Sequence, residues 1–230
     1  MDERDGVLRR APLFEALDDE GARALRSRMS EIEISRGERL FAEGDEGDKG
    51  DSLYVVLEGK IKLTRASPDG RENLLSVIGP GEMFGELSLF DPRPRTSSAS
   101  AVTDAQLAAL AHDKLLIWLT GRPEVALHLL RALAQRLRRA NDVMADLVFT
   151  DVPGRVAKQL LDLATRFGDQ QTDGLHVNHD LTQEELAQLV GASRETVNKA
   201  LADFAARGWL QISARSVLIL DAERLRKRAR

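Results

Sequence analysis

The long apolar repeat between Pro123 and Phe149 most constrains how this chain can fold. Apolar residues recur in it at alternating spacings of four and three, at Ala126, Leu130, Leu133, Leu137, Ala140, Met144 and Leu147. This heptad pattern predicts a helix that packs along its length against another helix. Because the stripe is narrow and long, it favours a parallel dimer through residues 126–147. The alternative is an amphipathic helix that lies on its own domain.

The residues before this repeat change from helical to strand periodicity. The first thirty residues predict helical structure, with a helix start at Asp18. From Ile32 until about Asp113, short alternating apolar runs follow one another at intervals of about 8–12 residues, separated by turn signals such as Gly79-Pro80-Gly81. This spacing is typical of an all-β roll or barrel.

A break at Thr150–Gly154 follows the repeat. Pro153 cannot lie inside a helix but suits the first turn of a new one, so we interpret residues 151–154 as a hinge. Beyond it we expect a helix at 155–167, a polar loop at 168–174, a short strand, two helices around Gly191, and a small hairpin followed by a basic tail.

The segment from Thr182 to Leu201 carries the most specific pattern in the chain. Thr182 and Glu185 form a capping box that begins one helix, and Gly191 suits a left-handed turn. Ser193 can cap a second helix, and the apolar runs WLQIS and SVLIL that follow predict a β-wing. The pattern favours a DNA-binding helix-turn-helix over a helical hairpin with a purely structural role.

The second helix of this segment presents polar side chains suited to DNA. Arg194, Glu195, Asn198 and Lys199 share one face. Arginine binds guanine bidentately and glutamate accepts from cytosine, whereas hydroxyls suit phosphates. The alternative is that Glu195 and Lys199 form an ordinary solvent-exposed pair. The predicted DNA contacts are Thr182, Ser193, Arg194, Glu195, Thr196 and Lys199.

The stretch from Gly85 to Ala99 predicts a small-molecule site in the β-rich region. It combines a glycine-opened turn with a carboxylate at Glu86 and an arginine at Arg95 that is followed by hydroxyls. Backbone amides at such a turn can bind a phosphate, Arg95 can neutralise it, and Glu86 can accept from a ribose hydroxyl. The alternative is that Arg95 simply pairs with Glu86 or Asp91.

Three segments together resemble one family. FGELSLFDPRPRTSSA resembles the phosphate-binding cassette of cyclic-nucleotide-binding domains. With TDVPGRVA and VGASRETVNKAL, it resembles the CRP/FNR family of bacterial transcription regulators, most of all the cyclic-AMP receptor proteins of the GlxR type. The resemblance covers nearly the whole chain and implies an α+β fold. It implies a cyclic-nucleotide-binding β-roll at 1–122, a dimerisation helix at 123–150, the hinge at 151–154, and a winged helix-turn-helix domain at 155–230.

The resemblance also implies which residues bind the effector, cyclic AMP. The positions that match by motif are Gly85, Glu86, Leu87, Ser88, Arg95, Thr96 and Asn141. Arg95 would face the cyclic phosphate, the turn at 85–88 would hold ribose and phosphate, and Asn141 would contact the adenine. Enterobacterial-type receptors have a Thr-Ser pair where this chain has Ala140 and Asn141. Because Ala140 cannot hydrogen-bond a base, a regulator that responds to another small ligand, or needs none, is the alternative.

The resemblance implies a homodimeric transcription regulator whose affinity for a TGTGA-like palindrome is controlled by cyclic AMP, with RNA polymerase as a further partner. An enzyme is the rival class, but the sequence has no paired carboxylates, nucleophile elbow, Walker motif or metal-ligand cluster. We therefore expect no catalytic residues and no metal. The lengthened loop at 44–52 is interpreted as a solvated turn rather than a cation site, since its spacing fits no EF-hand.

Composition excludes several other classes. The 230 residues contain no cysteine, which excludes disulfides, thiolate-bound iron–sulfur clusters and cysteine nucleophiles. No apolar run approaches the roughly 20 residues of a membrane-spanning helix. The charged first ten residues predict no secretory signal, so we expect a cytoplasmic protein without a membrane partner. His176 and His179 show no metal pattern and are expected at the surface.

Overall fold

The computed structural model describes residues 3–46, 52–67, 70, 72–91 and 93–229, except the side chains of residues 3, 88 and 89. The chain divides into a first compact unit that ends at Leu137 and a second that begins at Arg138. Because this division falls inside the longest helix, the predicted domain limits at 122, 150 and 154 stay predictions. None of the helices in the described ranges is long and apolar enough to cross a membrane.

The first unit contains two antiparallel sheets. Its strands are β1 (Ser30–Ile34), β2 (Arg39–Phe41), β3 (Ser52–Glu58), β4 (Ile61–Ala66), β5 (Glu72–Ile78), β6 (Met83–Phe84), β7 (Ser98–Ala101) and β8 (Ala105–Ala111). One sheet has the order β1-β8-β3-β6 and the other β2-β7-β4-β5. Buried side chains from both sheets form one shared core. This arrangement confirms the predicted β-roll.

Helices cover the outer face of the first sheet. The helices that begin in this unit are α1 (Glu3–Leu8), α2 (Asp19–Arg26), α3 (Leu87–Phe90), α4 (His112–Leu119) and α5 (Pro123–Phe149). On β3, Tyr54 and Val56 belong to the core inside the roll, whereas Leu53, Val55 and Leu57 pack among the helices. Successive side chains of a strand point to opposite faces, so a strand buried on both faces has a continuous apolar run.

The helix α5 contains the predicted apolar repeat but uses a different face against its own unit. Val125 and Leu129, which lie outside the stripe, are buried in the core beneath the helices. Within the stripe, Leu130 and Met144 are exposed, and Leu137 is 64% exposed. These side chains of the stripe are therefore not covered by the unit that buries Val125 and Leu129, and the dimer through residues 126–147 stays a prediction.

Among the described residues, the second unit contains four further helices that pack around a core of their own, together with a sheet. Its elements are α6 (Val152–Phe167), β9 (Gly168–Gln171), β10 (Gly174–Val177), α7 (Gln183–Val190), α8 (Arg194–Ala206), β11 (Leu210–Ile212), β12 (Val217–Ile219) and α9 (Ala222–Arg228). The sheet has the order β11-β12-β10-β9, and the antiparallel pair β11–β12 forms the predicted wing.

Three local expectations in the second unit are wrong. The polar segment at 168–174 contains the edge strand β9, which is held by backbone pairing with β10 and needs no apolar alternation. The basic tail is the helix α9, because Asp221 accepts from the backbone N–H of Arg224 at 2.9 Å and Leu225 is buried. His179 is buried as well, since its Nδ1 accepts from the backbone N–H of Leu181 at 3.1 Å.

Side chains connect the end of α5 to the helix-turn-helix segment. Asp146 accepts from the Thr150 hydroxyl at 3.0 Å and pairs with Lys158 on α6. Arg155 donates from Nη1 to the Thr150 carbonyl at 2.7 Å and from Nε to the Val190 carbonyl, at the end of α7, at 2.9 Å. The last turn of α5 is therefore bonded to the same arginine as the end of α7.

Asp151, in the predicted hinge, caps α6. Its Oδ1 accepts from the backbone N–H of Gly154 at 3.0 Å, and its Oδ2 accepts from Arg228 Nη2 of α9 at 2.5 Å. The hydrogen bond from Arg228 is the main cause that lowers the pKa of the Asp151 carboxyl, and the Gly154 amide adds to it. The C-terminal helix thus stabilises the start of α6.

Two substitutions of Asp151 should distinguish the contribution of its helix cap to stability from that of its ion pair with Arg228. Asp151→Ala loses both the cap and the ion pair, and should reduce the free energy of unfolding by about 1–2 kcal/mol. Asp151→Asn keeps the cap and loses only the exposed ion pair, so its loss should be below about 1 kcal/mol. Denaturant titration measures both values.

The pH dependence of these variants follows from the lowered pKa of Asp151. The ion pair stabilises the fold above the pKa of the unfolded carboxyl and is lost as pH falls through the lower folded value. The difference between wild type and Asp151→Asn should therefore be largest at neutral pH and shrink in acid. A difference that persists unchanged in acid would contradict the ion-pair assignment.

Candidate functional site

Arg95 is buried at the edge of the β-roll. The residue is 4% exposed, and its guanidinium donates from Nη1 to the Gly85 carbonyl at 2.9 Å and from Nη2 to the Ser52 carbonyl at 2.8 Å. Its backbone is also held, because its N–H donates to the Asp45 carbonyl at 3.0 Å and its carbonyl accepts from the Gly44 N–H at 2.8 Å. The structure thus fixes the group that the sequence assigned to the phosphate.

Gly85 allows the chain to pass close to this guanidinium. Its φ is +83°, and a Cβ built on it would lie 2.8 Å from Arg95 Nη1 and 2.9 Å from the Ser52 carbonyl. Both the left-handed backbone and the close approach require glycine at this position. The predicted turn residue is therefore tied directly to the predicted phosphate-binding residue.

Glu86 is buried beside this turn and pairs with a residue that sequence reasoning missed. Its carboxylate is 1% exposed, and its Oε1 accepts from Arg136 Nη1, on α5, at 2.5 Å. Its Oε2 is buried and has no hydrogen-bond partner among the described residues. Nothing in the spacing distinguishes Arg136 from the other basic residues of α5, Arg131, Arg138 and Arg139.

The sequence left open that Arg95 simply pairs with Glu86 or Asp91, but in the structure both carboxylates pair with other arginines. Glu86 pairs with Arg136, and Asp91 pairs with Arg93 at 3.1 Å. The Glu86 carboxylate and the Arg95 guanidinium nevertheless meet at one turn. Gly85, whose carbonyl accepts from Arg95, directly precedes Glu86 in the chain.

The other predicted effector residues are placed as follows. Leu87 begins α3 and is exposed, and Thr96 is exposed next to Arg95. The side chain of Ser88 lies outside the described residues, as do residues 47–51 of the lengthened loop. Asn141 is exposed on α5, in the second unit. The described residues hold no group of three or more histidines or carboxylates that could bind a metal ion.

The helices α7 and α8 have the caps that the sequence predicted. Thr182 and Glu185 form a reciprocal capping box, in which the Thr182 N–H donates to Glu185 Oε2 at 2.8 Å and the Glu185 N–H donates to Thr182 Oγ1 at 3.2 Å. Gly191 is left-handed with φ +67°, and Ser193 Oγ accepts from the Thr196 N–H at 3.2 Å. The turn between the helices is therefore fixed at both ends.

One face of α8 is buried and the other is exposed. Val197 packs into the core of the second unit, which also holds Ala187 of α7. The six predicted DNA contacts, Thr182, Ser193, Arg194, Glu195, Thr196 and Lys199, are all exposed. Within the described chain no ion pair joins Glu195 to Lys199, which speaks against the alternative reading of these residues. Asn198 differs, because its Oδ1 is buried.

Comparison with known proteins decides the family. The model of the cyclic nucleotide-binding domain matches residues 31–120, and that of the Crp-like helix-turn-helix domain matches residues 154–228. The "CRP-like cAMP-activated global transcriptional regulator" of Mycobacterium tuberculosis is 56% identical over 226 residues, which cover 98% of this chain and 100% of that protein. The chain belongs to the CRP/FNR family of transcription regulators.

A more distant relative agrees with the CRP/FNR assignment, and a solved structure shares the fold. The "Cyclic AMP receptor protein" of Thermus thermophilus is 36% identical over 92% of this chain and 94% of its own length. The solved structure of FixK2 from Bradyrhizobium japonicum shares the fold, with a TM-score of 0.77 at 22% identity over 86% of this chain and 96% of that one. The predicted fold class and family are confirmed, and this CRP/FNR protein is a DNA-binding regulator rather than an enzyme.

The close approach at Gly85 predicts a specific loss of stability. Gly121 is the matched control, because its φ is +81° and no described atom lies within 4 Å of a Cβ built on it. Gly121→Ala should lose about 1 kcal/mol through backbone strain alone. Gly85→Ala should lose a further 1–3 kcal/mol, roughly, through its clash with Arg95 and Ser52. Equal losses in denaturant titrations would mean that Arg95 does not lie against this turn.

Proposed function

We propose that this CRP/FNR regulator is a homodimer whose affinity for operator DNA is controlled by cyclic AMP. The observation that carries the proposal is the pair of groups that meet at the Gly85–Glu86 turn. A buried guanidinium contacts the turn, and the turn carries a buried carboxylate, one oxygen of which has no partner among the described residues. A ribose cyclic phosphate has the complementary groups, an anionic phosphate and a neighbouring hydroxyl donor.

The Glu86 oxygen gives a reason for the site to favour a hydroxyl-bearing ligand. A buried acceptor without a hydrogen bond costs about 1–3 kcal/mol of stability. A ribose 2′-hydroxyl that donates to Glu86 Oε2 would remove this cost, while the phosphate binds Arg95. Gly85, Leu87, Ser88 and Thr96 stay the predicted neighbours of the ribose and phosphate, and Asn141 stays the predicted adenine contact.

The helix α5 offers a route from the effector to DNA. Arg136 on this helix shares the Glu86 carboxylate with the proposed ribose hydroxyl. At the far end of the same helix, Arg155 bonds the Thr150 carbonyl and also the Val190 carbonyl at the end of α7. A ligand shifts an equilibrium only through its different affinity for two states. We propose that the arrangement of α5 distinguishes those states.

The exposed face of α8 supports the proposed mode of DNA binding. Arg194, Glu195 and Lys199 would contact bases in the major groove, and the hydroxyls near the helix starts would contact phosphates. A symmetric dimer binds two half-sites about one helical turn apart, which agrees with a TGTGA-like palindrome. Lys199 offers a point charge rather than a planar fork, so its base contact would be the least specific. Contact with RNA polymerase stays a prediction.

The names of the relatives support cyclic AMP as the effector. The protein of Mycobacterium tuberculosis is described as cAMP-activated, and that of Thermus thermophilus as a cyclic AMP receptor. Ala140 favours the second candidate, a regulator with the same fold that responds to another small ligand or is active without one, because its methyl group cannot bond a base. Direct binding measurements distinguish the two.

Replacing Arg95 should weaken effector binding. Hydrogen bonds to charged groups contribute about 1.5–3 kcal/mol each, so Arg95→Leu should weaken cyclic AMP binding at least tenfold, roughly, in calorimetry. The matched control is Arg93→Leu, since Arg93 is exposed and pairs with Asp91. Both variants are first shown to melt cooperatively. Unchanged affinity in a folded Arg95→Leu protein would contradict the phosphate assignment, and no cyclic AMP binding by wild type would favour the second candidate.

Replacing Leu137 should dissociate the proposed dimer into monomers. Leu137→Glu places two carboxylates in the apolar stripe, where like charges repel and are poorly hydrated. We expect monomers in sedimentation and a loss of operator binding. Leu116→Glu on α4 is the matched control, because Leu116 is also exposed but lies outside the stripe. A Leu137→Glu protein that still sediments as a dimer would place the interface elsewhere.

A further inference from the structure

A cluster of three buried aromatic rings lies beside the guanidinium of Arg95, which contacts two of them. They come from β2, β3 and β6, as Phe41, Tyr54 and Phe84. The Tyr54 and Phe84 rings stack with centroids 5.2 Å apart, and the Phe41 ring lies 5.9 Å from Tyr54 and 6.1 Å from Phe84. The arginine proposed for the phosphate therefore packs against part of the roll's aromatic core.

The rings differ in how they meet Arg95. The centre of the guanidinium lies 4.2 Å above the Phe41 ring centroid, within the range of a direct cation–π contact. It lies 5.8 Å from the Tyr54 ring centroid, at the outer limit of such contacts. Phe84 is fully buried in the same core and contacts the other rings rather than the guanidinium.

Together with its hydrogen bonds, these contacts hold the planar guanidinium of Arg95 in one orientation. The carbonyls of Gly85 and Ser52 fix the guanidinium within its own plane. The face of Phe41 restrains it from tilting out of that plane. Tyr54 adds a second restraint, and the electrostatic effect of Arg95 on its phenol opposes the rise in pKa that burial causes. A group that is already oriented loses less entropy when it binds a ligand.

We propose that Phe41 and Tyr54 are positioning residues for the effector, which hold the Arg95 guanidinium in place for an anionic phosphate without contacting the ligand themselves. The inference rests on the proposed function, because it assigns the phosphate to Arg95. It goes beyond that function because it attributes part of the affinity for cyclic AMP to buried side chains of β2 and β3. Neither residue belongs to the motif at 85–99.

The test compares cyclic AMP affinity in aromatic variants of the full-length protein by calorimetry. Phe41→Leu removes the cation–π contact and should weaken binding about 3- to 30-fold, and Tyr54→Leu, which removes the more distant ring, should weaken it by a smaller factor. Phe84→Leu is the matched control, because it makes the same kind of change in the same aromatic cluster and removes neither of the rings that contact Arg95. It should lower the melting temperature and leave the affinity close to that of wild type.

A double-mutant cycle shows whether Phe41 acts through Arg95. In an Arg95→Leu background, Phe41→Leu should cause no further loss of cyclic AMP affinity. Equal losses in Phe41→Leu and Phe84→Leu, or the same loss from Phe41→Leu with and without Arg95, would overturn the inference and leave the proposed function intact. Failure of wild type to bind cyclic AMP would overturn both.

Discussion

A buried guanidinium determines how the β-roll is built around its ligand turn. A charge removed from water is tolerated only when surrounding groups replace its hydration. For Arg95 those groups are the carbonyls of Gly85 and Ser52 and the face of Phe41, which come from different strands and turns. Glycine at position 85 is a consequence, since a side chain there would meet the guanidinium. The fold therefore fixes the group that we propose for the phosphate.

A second buried charge connects this turn to the long helix. Glu86 directly follows the glycine that holds Arg95, and Arg136 of α5 donates to one of its oxygens. The same helix ends where Arg155 bonds both Thr150 and Val190. In our proposal, a ligand hydroxyl on the second Glu86 oxygen changes the balance of charge around Arg136, and α5 carries the change to the start of the DNA-binding segment. The exposed stripe on α5 would join two such helices in the dimer.

The sequence predicted those features that depend on local spacing. The helix at Pro123–Phe149, the capping box at Thr182 and the left-handed Gly191 depend on patterns within single segments, and each is present as expected. Contacts between segments that are far apart in the chain leave no comparable pattern in the sequence. Arg136 is one of several arginines on α5, Phe41 lies far from the motif at 85–99, and His179 is buried through one bond to the backbone. The edge strand β9 escaped detection because backbone pairing alone maintains it.

The central claim is that effector and operator DNA favour the same state of the protein. Linkage requires that two ligands change one another's affinity by the same factor. The most direct measurement is therefore the Kd for cyclic AMP of the free protein and of the protein saturated with a TGTGA-type palindromic duplex. Our account predicts tighter cyclic AMP binding on the operator, by the same factor by which cyclic AMP raises operator affinity. An identical Kd with and without the operator would contradict it.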